Sequence, residues 1–378
     1  MFRQKLIAIG ALPLIALSAP AQAQSVGDKI PNSYICVYKA NAVSRTGVDL
    51  EAFREVMSIG GRMGHVYRVA FQGFSANLSA QAVEQLKASN PKIAYCEQDQ
   101  IVAVPPISEL EARAGGSALQ RPAPSTQETP WGVARVKGGT PGKFGTAWII
   151  DTGVDLTHPD LNVDVRRSRS FLTGKPWAGD QNGHGTHVAG TIAAYNNSFG
   201  VVGVAPGARV VSVRVLNGMG EGTVSSVIAG VEYVAANARP GDVANMSLGG
   251  GVSAAVDAAV ANAAAGGVKF VIAAGNSSTH ANNESPARVN APNVYTVSAF
   301  GNGNTWASFS NYGNPPIDYA EPGVAIKSTW LGGGYKTLSG TSMAAPHLAG
   351  ILLARANPIV DGTVIGDPAA PADPIGTR

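Results

Sequence analysis

From Pro130 onward, short apolar runs of strand composition alternate with longer runs of helical character. Ala147 to Ile150 is followed by His184 to Tyr195, and Arg209 to Val215 by Val224 to Ala238. Val243 to Met246 precedes Ala254 to Ala264, and Val268 to Ala273 precedes the strand-like Val294 to Phe300. The strand runs are apolar almost throughout, so both of their faces need cover. Strands alternating with helices predict an α/β domain, a mainly parallel sheet with helices on both faces. Ligands of such sheets bind beyond the carboxyl ends of the strands. The chain holds 46 glycines, many in turns between apolar runs, as tight loops around a buried sheet require.

Residues 33–104 read as a smaller α+β unit. Tyr34 to Tyr38 has strand composition, and Val48 to Ser58 is helix-like, with Leu50, Phe53, Val56 and Met57 expected on one face. His65 to Phe71 is strand-like, Gly73 to Leu78 supplies a third strand, Ser79 to Ala88 a second helix, and Ile93 to Val104 a last strand. That β-α-β-β-α-β order is ferredoxin-like, with first and last strands adjacent. Both cysteines, Cys36 and Cys96, fall on those two strands. They could pair in an oxidising compartment or remain two buried thiols.

Two flanking segments complete the chain's organisation. Met1 to Ala23 has the form of a secretory signal peptide: Arg3 and Lys5, an apolar run from Leu6 to Leu17, and Ala21-Gln22-Ala23 as cleavage site. The apolar run is too short to span a membrane comfortably. Secretion, extracellular or periplasmic, is the expectation. Residues 105–127 hold Pro-Pro, Gly-Gly and Pro-Ala-Pro without periodicity, the composition of an exposed, protease-sensitive linker. The expected division is therefore 1–23, 33–104, 105–127 and a main domain over 128–378.

The net charge of +3 comes from the first 125 residues, since 16 basic and 16 acidic residues balance from Thr126 onward. Such a balance offers no handle for nucleic acid or for an anionic membrane. Nothing in the sequence points to oligomerisation, and a monomer is expected. No cysteine follows Cys96, so a cysteine nucleophile is excluded from the main domain.

Four residues at element boundaries can carry chemistry. Asp151 ends the apolar run Trp148-Ile149-Ile150 and, if buried, needs a partner. Its Asp-Thr-Gly context also suits an aspartic protease, but that chemistry requires two carboxylates sharing a proton. His184 opens a helix between Gly183 and Gly185, which suits close approach of another segment. With His187 it makes only half a metal site, lacking the His-Glu-x-x-His pattern. Asn276 ends another apolar strand and can donate to an oxyanion or simply serve a turn. Ser342 follows Gly340-Thr341 at the start of an apolar helix, where it is either an ordinary cap or a nucleophile at the positive end of a helix dipole.

Taken together, Asp151-Thr-Gly-Val-Asp155, His184-Gly-Thr-His-Val-Ala-Gly190, Ser247-Leu-Gly-Gly250, Ala273-Ala-Gly-Asn276 and Gly340-Thr-Ser-Met-Ala-Ala-Pro-His347 resemble the conserved blocks of the subtilisin-like serine proteases. Pro130 to Arg135 is similar to the mature N-terminal region of the proteinase K branch, and Tyr34 to Val104 to the inhibitor-type propeptide of these enzymes. The Asp, His, Ser order is a known subtilisin example.

The resemblance implies a secreted, self-processed zymogen that hydrolyses peptide bonds, with its propeptide as intramolecular inhibitor. Ser342 would be the nucleophile, His184 the base, Asp151 its orienting partner, and Asn276 an oxyanion donor. Gly220, Glu221, Gly222, Ser247, Leu248 and Gly249 would flank the substrate backbone. Ala273, Ala274 and Gly275 would line the pocket for P1, the residue whose carbonyl is attacked, with a broad preference leaning to apolar and aromatic side chains. Structural calcium is implied at Asp318 with the Pro292 and Val294 carbonyls, although Asn314-Pro315-Pro316 lengthens that loop. The chain departs from the branch in its cysteine-free main domain, its short tail from Pro358, and Val224 where an aromatic is usual. An esterase with the same serine machinery and a catalytically silent binding protein are the rival readings.

Overall fold

The computed structural model describes residues 25–104 and 126–378. The expected signal peptide and nearly all of the expected linker lie outside the described residues. The N-terminal unit contains strands β1 (Lys29–Tyr38), β2 (Arg62–Tyr67), β3 (Gly73–Asn77) and β4 (Ile93–Ala103). Helix α1 (Val48–Ser58) follows β1, and α2 (Ala80–Ser89) follows β3. The strands pair antiparallel in the order β4-β1-β3-β2. Cys36 and Cys96 are direct cross-strand partners on β1 and β4, and their sulphurs are bonded.

The inward face of α1 differs from the expectation. Val48, Ala52 and Val56 are buried against Phe74, Val83 and Leu86, whereas Leu50, Phe53 and Met57 are each about half exposed. The slim 48, 52, 56 series recurs every four residues and lets the helix lie close to the sheet. The bulkier residues turn outward.

The main domain has strands β5 (Thr146–Asp151), β6 (Arg209–Arg214), β7 (Glu221–Thr223), β8 (Val243–Met246), β9 (Gly249–Gly250), β10 (Lys269–Ala273), β11 (Val294–Gly301) and β12 (Ile317–Pro322). A hairpin, β13 (Ile326–Trp330) and β14 (Gly334–Leu338), precedes the tail strands β15 (Ile359–Thr363) and β16 (Pro374–Thr377). Its helices are α3 (Trp131–Arg135), α4 (His184–Ala193), α5 (Val224–Asn237), α6 (Ala254–Ala265) and α7 (Thr341–Ala354). The large sheet runs β15-β16-β12-β11-β10-β8-β5-β6. All neighbours from β16 to β6 are parallel. Side chains of β5 alternate between two cores: Trp148 and Ile150 meet Val227, Ile228 and Val260 of α5 and α6, while Ile149 meets Val188, Ile192 and Leu348 of α4 and α7. This is why the strands read as apolar throughout.

The two units share a strand. β4 continues out of its own sheet and lies antiparallel between β7 and β9, pairing Val102 with Gly222 and Gly250, and Ala103 with Glu221 and Gly249. The Val104 amide donates to the Gly220 carbonyl at 3.0 Å. Beside this ribbon, Asp99 accepts from the Ser225 amide and hydroxyl at the start of α5. Glu97 accepts from the Ser253 hydroxyl and the Ala255 amide at the start of α6. In return Glu232 on α5 accepts from the amides of Arg68, Val69 and Ala70.

The short tail supplies the edge of the large sheet. β16 adds parallel to β12, and Val364 and Ile375 pack with Phe300 and Ala320. This edge covers Glu321, whose carboxyl is fully buried with neither oxygen hydrogen-bonded. Burial pushes that carboxyl well above its usual 4.5, and the nearby Gly376 backbone and Arg135 charge offset only part of the effect.

A group whose value is raised on folding contributes stability below the unfolded value and loses it as pH rises toward the folded one. Thermal unfolding of Glu321→Gln should therefore match the parent near pH 4 and exceed it by a few degrees at pH 8. A gap that does not widen with pH would contradict this reading of Glu321.

Candidate active site

Asp151 is the last residue of β5, beyond which the sheet meets α4. Its Oδ1 accepts from the Thr152 amide at 2.7 Å, and both carboxylate oxygens lie against His184 Nδ1, at 2.9 and 3.0 Å. The two side chains are essentially inaccessible to solvent. Glycine at 185 makes the approach possible: a Cβ there would stand 2.0 Å from the Gly153 carbonyl oxygen and 3.1 Å from Asp151 Cβ. Gly183, at φ 107°, supplies the left-handed turn that aims the helix at the strand end.

His184 is held from behind by Asp180. One Asp180 oxygen accepts from the amides of Asn182 and Gly183 and from the Thr152 hydroxyl, at 2.8–2.9 Å. The other accepts from the Thr186 amide and hydroxyl, at 3.0 and 2.7 Å. A carboxylate facing the unpaired amides of a helix start is favoured by charge and geometry together. Buried Arg214, at the end of β6, bonds the carbonyls of Trp177, Gly179 and Leu216 and the Gln181 side chain. It thereby ties the loop before His184 to the start of the cleft rim. Asp180 and Arg214 were not singled out from sequence; an acid four residues before a helix-opening histidine is the one signal available for Asp180.

Ser342 is the second residue of α7, buried at the end of the sheet. Its Oγ donates to the Ser247 carbonyl at 3.3 Å, and Ser247 Oγ donates to the Ser342 carbonyl at 3.0 Å. Asn276 follows β10 closely, and its Oδ1 accepts from the Thr341 amide and hydroxyl at 2.9 and 2.8 Å. Those two bonds fix which end of the amide is which, so Nδ2 is the end presented as donor, beside Gly340.

The remaining expected residues divide by position. Gly220, Glu221, Gly222 and Gly249 border the strand β4 on its two sides, while Leu248 packs inward in the α5–α6 core. Ala273 is buried in the core shared with α4 and α7, and Ala274 in a small cluster with Ala281 and Ile317. Gly275 is buried, with Asn311 Nδ2 and Glu284 Oε2 close against it. The pocket beside Asn276, about 280 Å³, is lined instead by Gly249 to Gly251, Ser277, Asn283 and Glu284, with Ala103 and Val104 of the N-terminal unit. Val224 is buried as the first residue of α5.

His187 does not join His184. Its Nε2 faces the carbonyls of Ile326 and Lys336, and burial, followed by the nearby His184, holds it down at about 3. Among the described residues no three His, Cys, Asp or Glu side chains are grouped to hold a metal ion. Asp318 accepts from the Thr296 amide at 2.9 Å, and burial pushes its carboxyl up to about 6.

Comparison with known proteins agrees with this geometry. A model of the subtilase family matches residues 148–360, and one of the peptidase inhibitor I9 domain matches 39–105. The chain is 42% identical over 297 residues to alkaline serine exoprotease A of Vibrio alginolyticus, covering 76% of this chain and 52% of that protein. It is 37% identical over 344 residues to Proteinase R of Parengyodontium album, covering 87% and 80%. The chain thus spans about half the length of the first relative and four fifths of the second. The crystal structure of a cold adapted subtilisin-like serine proteinase aligns with a TM-score of 0.50 at 45% identity, covering 58% of this chain and 82% of that one.

Asp180→Ala would leave several donors around the α4 start without an acceptor. We expect it to cost about 3 kcal/mol of stability, measured by denaturant unfolding, with activity falling alongside. Unchanged stability would mean that water replaces the carboxylate.

Proposed function

The chain belongs to the subtilase family of serine proteases and carries an I9-type inhibitor domain, and we propose that Asp151, His184 and Ser342 perform its peptide-bond hydrolysis. The observation that carries this reading is the buried His184–Asp151 contact at 2.9 and 3.0 Å. Asp151 holds Nδ1 as the protonated nitrogen, which leaves Nε2 to take the Ser342 proton. Ser342 Oγ then attacks the substrate carbonyl, and the positive charge gained by His184 rests against the Asp151 carboxylate. The oxyanion is met by Asn276 Nδ2 and the Ser342 amide, at the positive end of α7. His184 returns the proton to the departing amine, and water repeats the sequence on the acyl-enzyme.

Substrate enters as an extended strand between β7 and β9, recognised through its backbone. β4 occupies that position in the full chain, which supports the inhibitor role of residues 33–104. Self-cleavage within Val104 to Gln127 would release the mature enzyme of residues 128–378 after export directed by residues 1–23. Among the described residues no helix is long and apolar enough to cross a membrane. Glycine walls at 249, 250 and 251 support a broad P1 preference that includes apolar and aromatic side chains.

Structural calcium fits the Asp318 region in one respect: its carboxyl is half-buried with no Lys or Arg paired to it among the described residues, and its proposed companions, the carbonyls of Pro292 and Val294, are hard oxygen donors. Bound there, the ion would neutralise Asp318 and brace the loop before β11. Calcium should raise the unfolding temperature of the parent and not of Asp318→Ala. Equal shifts in both would remove the ion from this place.

Ser342→Ala should abolish peptide hydrolysis and leave the N-terminal unit attached to the secreted chain. Normal maturation of that variant, made without any helper protease, would overturn self-processing. Asn276→Ala should lower kcat by roughly a hundred- to a thousand-fold with little change in KM; an equal loss in binding would assign it to the substrate instead.

A further inference from the structure

The pocket beside Asn276 contains a carboxylate that the catalytic scheme does not use. Glu284 lies at the end of the loop that leaves Asn276, half-buried on the pocket wall. One oxygen, Oε1, is fixed by the Ser277 hydroxyl and by Asn311 Nδ2, both at 3.0 Å. Asn311 is itself fully buried and anchored, donating to the Ala274 carbonyl and accepting from the amides of Ser277 and Thr279. The carboxylate is therefore set on a rigid mount.

Its other oxygen is directed at the pocket. A Cβ on Gly275 would stand 2.5 Å from Oε2, and one on Gly249 would stand 3.5 Å away. Oε2 thus lies between the buried backbone at Gly275 and Gly249, which lines the pocket next to Asn276. Among the described residues no lysine or arginine pairs with Glu284. Arg288, the nearest cation in sequence, directs its guanidinium at Asp257 at 3.6 Å. A negative charge with no protein cation is thus held where the first side chain of the acyl group would lie.

We propose that Glu284 makes this pocket a P1 site for lysine and arginine. This deepens the proteolytic reading of the preceding subsection and rests on it. The methylene stem of a basic side chain would lie along the glycine walls, as an apolar chain does, and its charged head would reach the Glu284 carboxylate. The same walls still admit apolar and aromatic residues, so the carboxylate adds a preference within a broad pocket. In the full chain Ala103 and Val104 line the pocket mouth, so the preference becomes available when β4 leaves.

The test compares kcat/KM for otherwise identical peptide anilides with Lys, Arg, Gln, Met or Phe at P1. A charge-assisted contact predicts Lys and Arg ahead of their neutral near-isosteres Met and Gln by about tenfold or more. That lead should shrink as ionic strength rises. In Glu284→Gln the Lys/Phe and Arg/Phe ratios should fall by a similar factor. A lead that is absent or insensitive to salt in the parent enzyme would overturn the proposal even if the variant fails to fold. So would a variant in which all P1 residues lose equally, since that marks Glu284 as a structural support of the pocket. Failure to cleave any of these peptides would instead count against the proteolytic reading.

Discussion

A helix buried on every side governs this structure. Residues Thr341 to Leu353 of α7 are all buried, so its first turn is met largely by protein groups rather than bulk water. Asn276 meets the Thr341 amide, and Ser247 and Ser342 exchange hydroxyl-to-carbonyl bonds. At Gly350 only glycine fits, because a Cβ there would stand 2.5 Å from Val204. The end of α7 is thereby pinned to the ends of β8 and β10, and the end of β5 carries Asp151 to the same edge. The reactive edge follows from how the helix is buried.

The N-terminal unit uses the same physics from outside. Helices α5 and α6 present their starts at the surface, and Asp99 and Glu97 supply acceptors there, supplementing the caps provided by Thr223 and Ser253. Glu232 reverses the arrangement by collecting three amides of the incoming unit. Carboxylates meeting backbone amides are strong contacts, and here they flank an apolar contact in which Ile35, Tyr67, Phe71 and Val102 share a core with α5 and α6. They hold β4 in register with β7 and β9 while leaving the strand bound mainly through its backbone.

Much of this was legible in the sequence because burial on both faces makes strands apolar throughout. The runs ending at Asp151, Met246 and Ala273 marked the sheet edge, and the glycines around His184 marked a close approach. What stayed hidden needed three-dimensional convergence. The helical wheel of α1 drew attention to Leu50, Phe53 and Met57, yet close packing selected the slimmer Val48, Ala52 and Val56. The burial of the Ala273 and Ala274 side chains beneath the strand end depends on packing that no local pattern encodes. Arg214 and Glu284 appear as isolated charges in sequence. Their meaning depends on carbonyls and glycines contributed by segments distant in the chain.

We propose that strand ends and one buried helix start make Ser342 the reactive group. A fluorophosphonate probe, with the modified residue located by peptide mass spectrometry, tests this most directly. The account predicts modification of Ser342 alone, appearing once the N-terminal unit no longer fills the cleft and disappearing in His184→Ala. Modification of a different serine, or an unmodified Ser342 in a preparation fully inactivated by the probe, would contradict it.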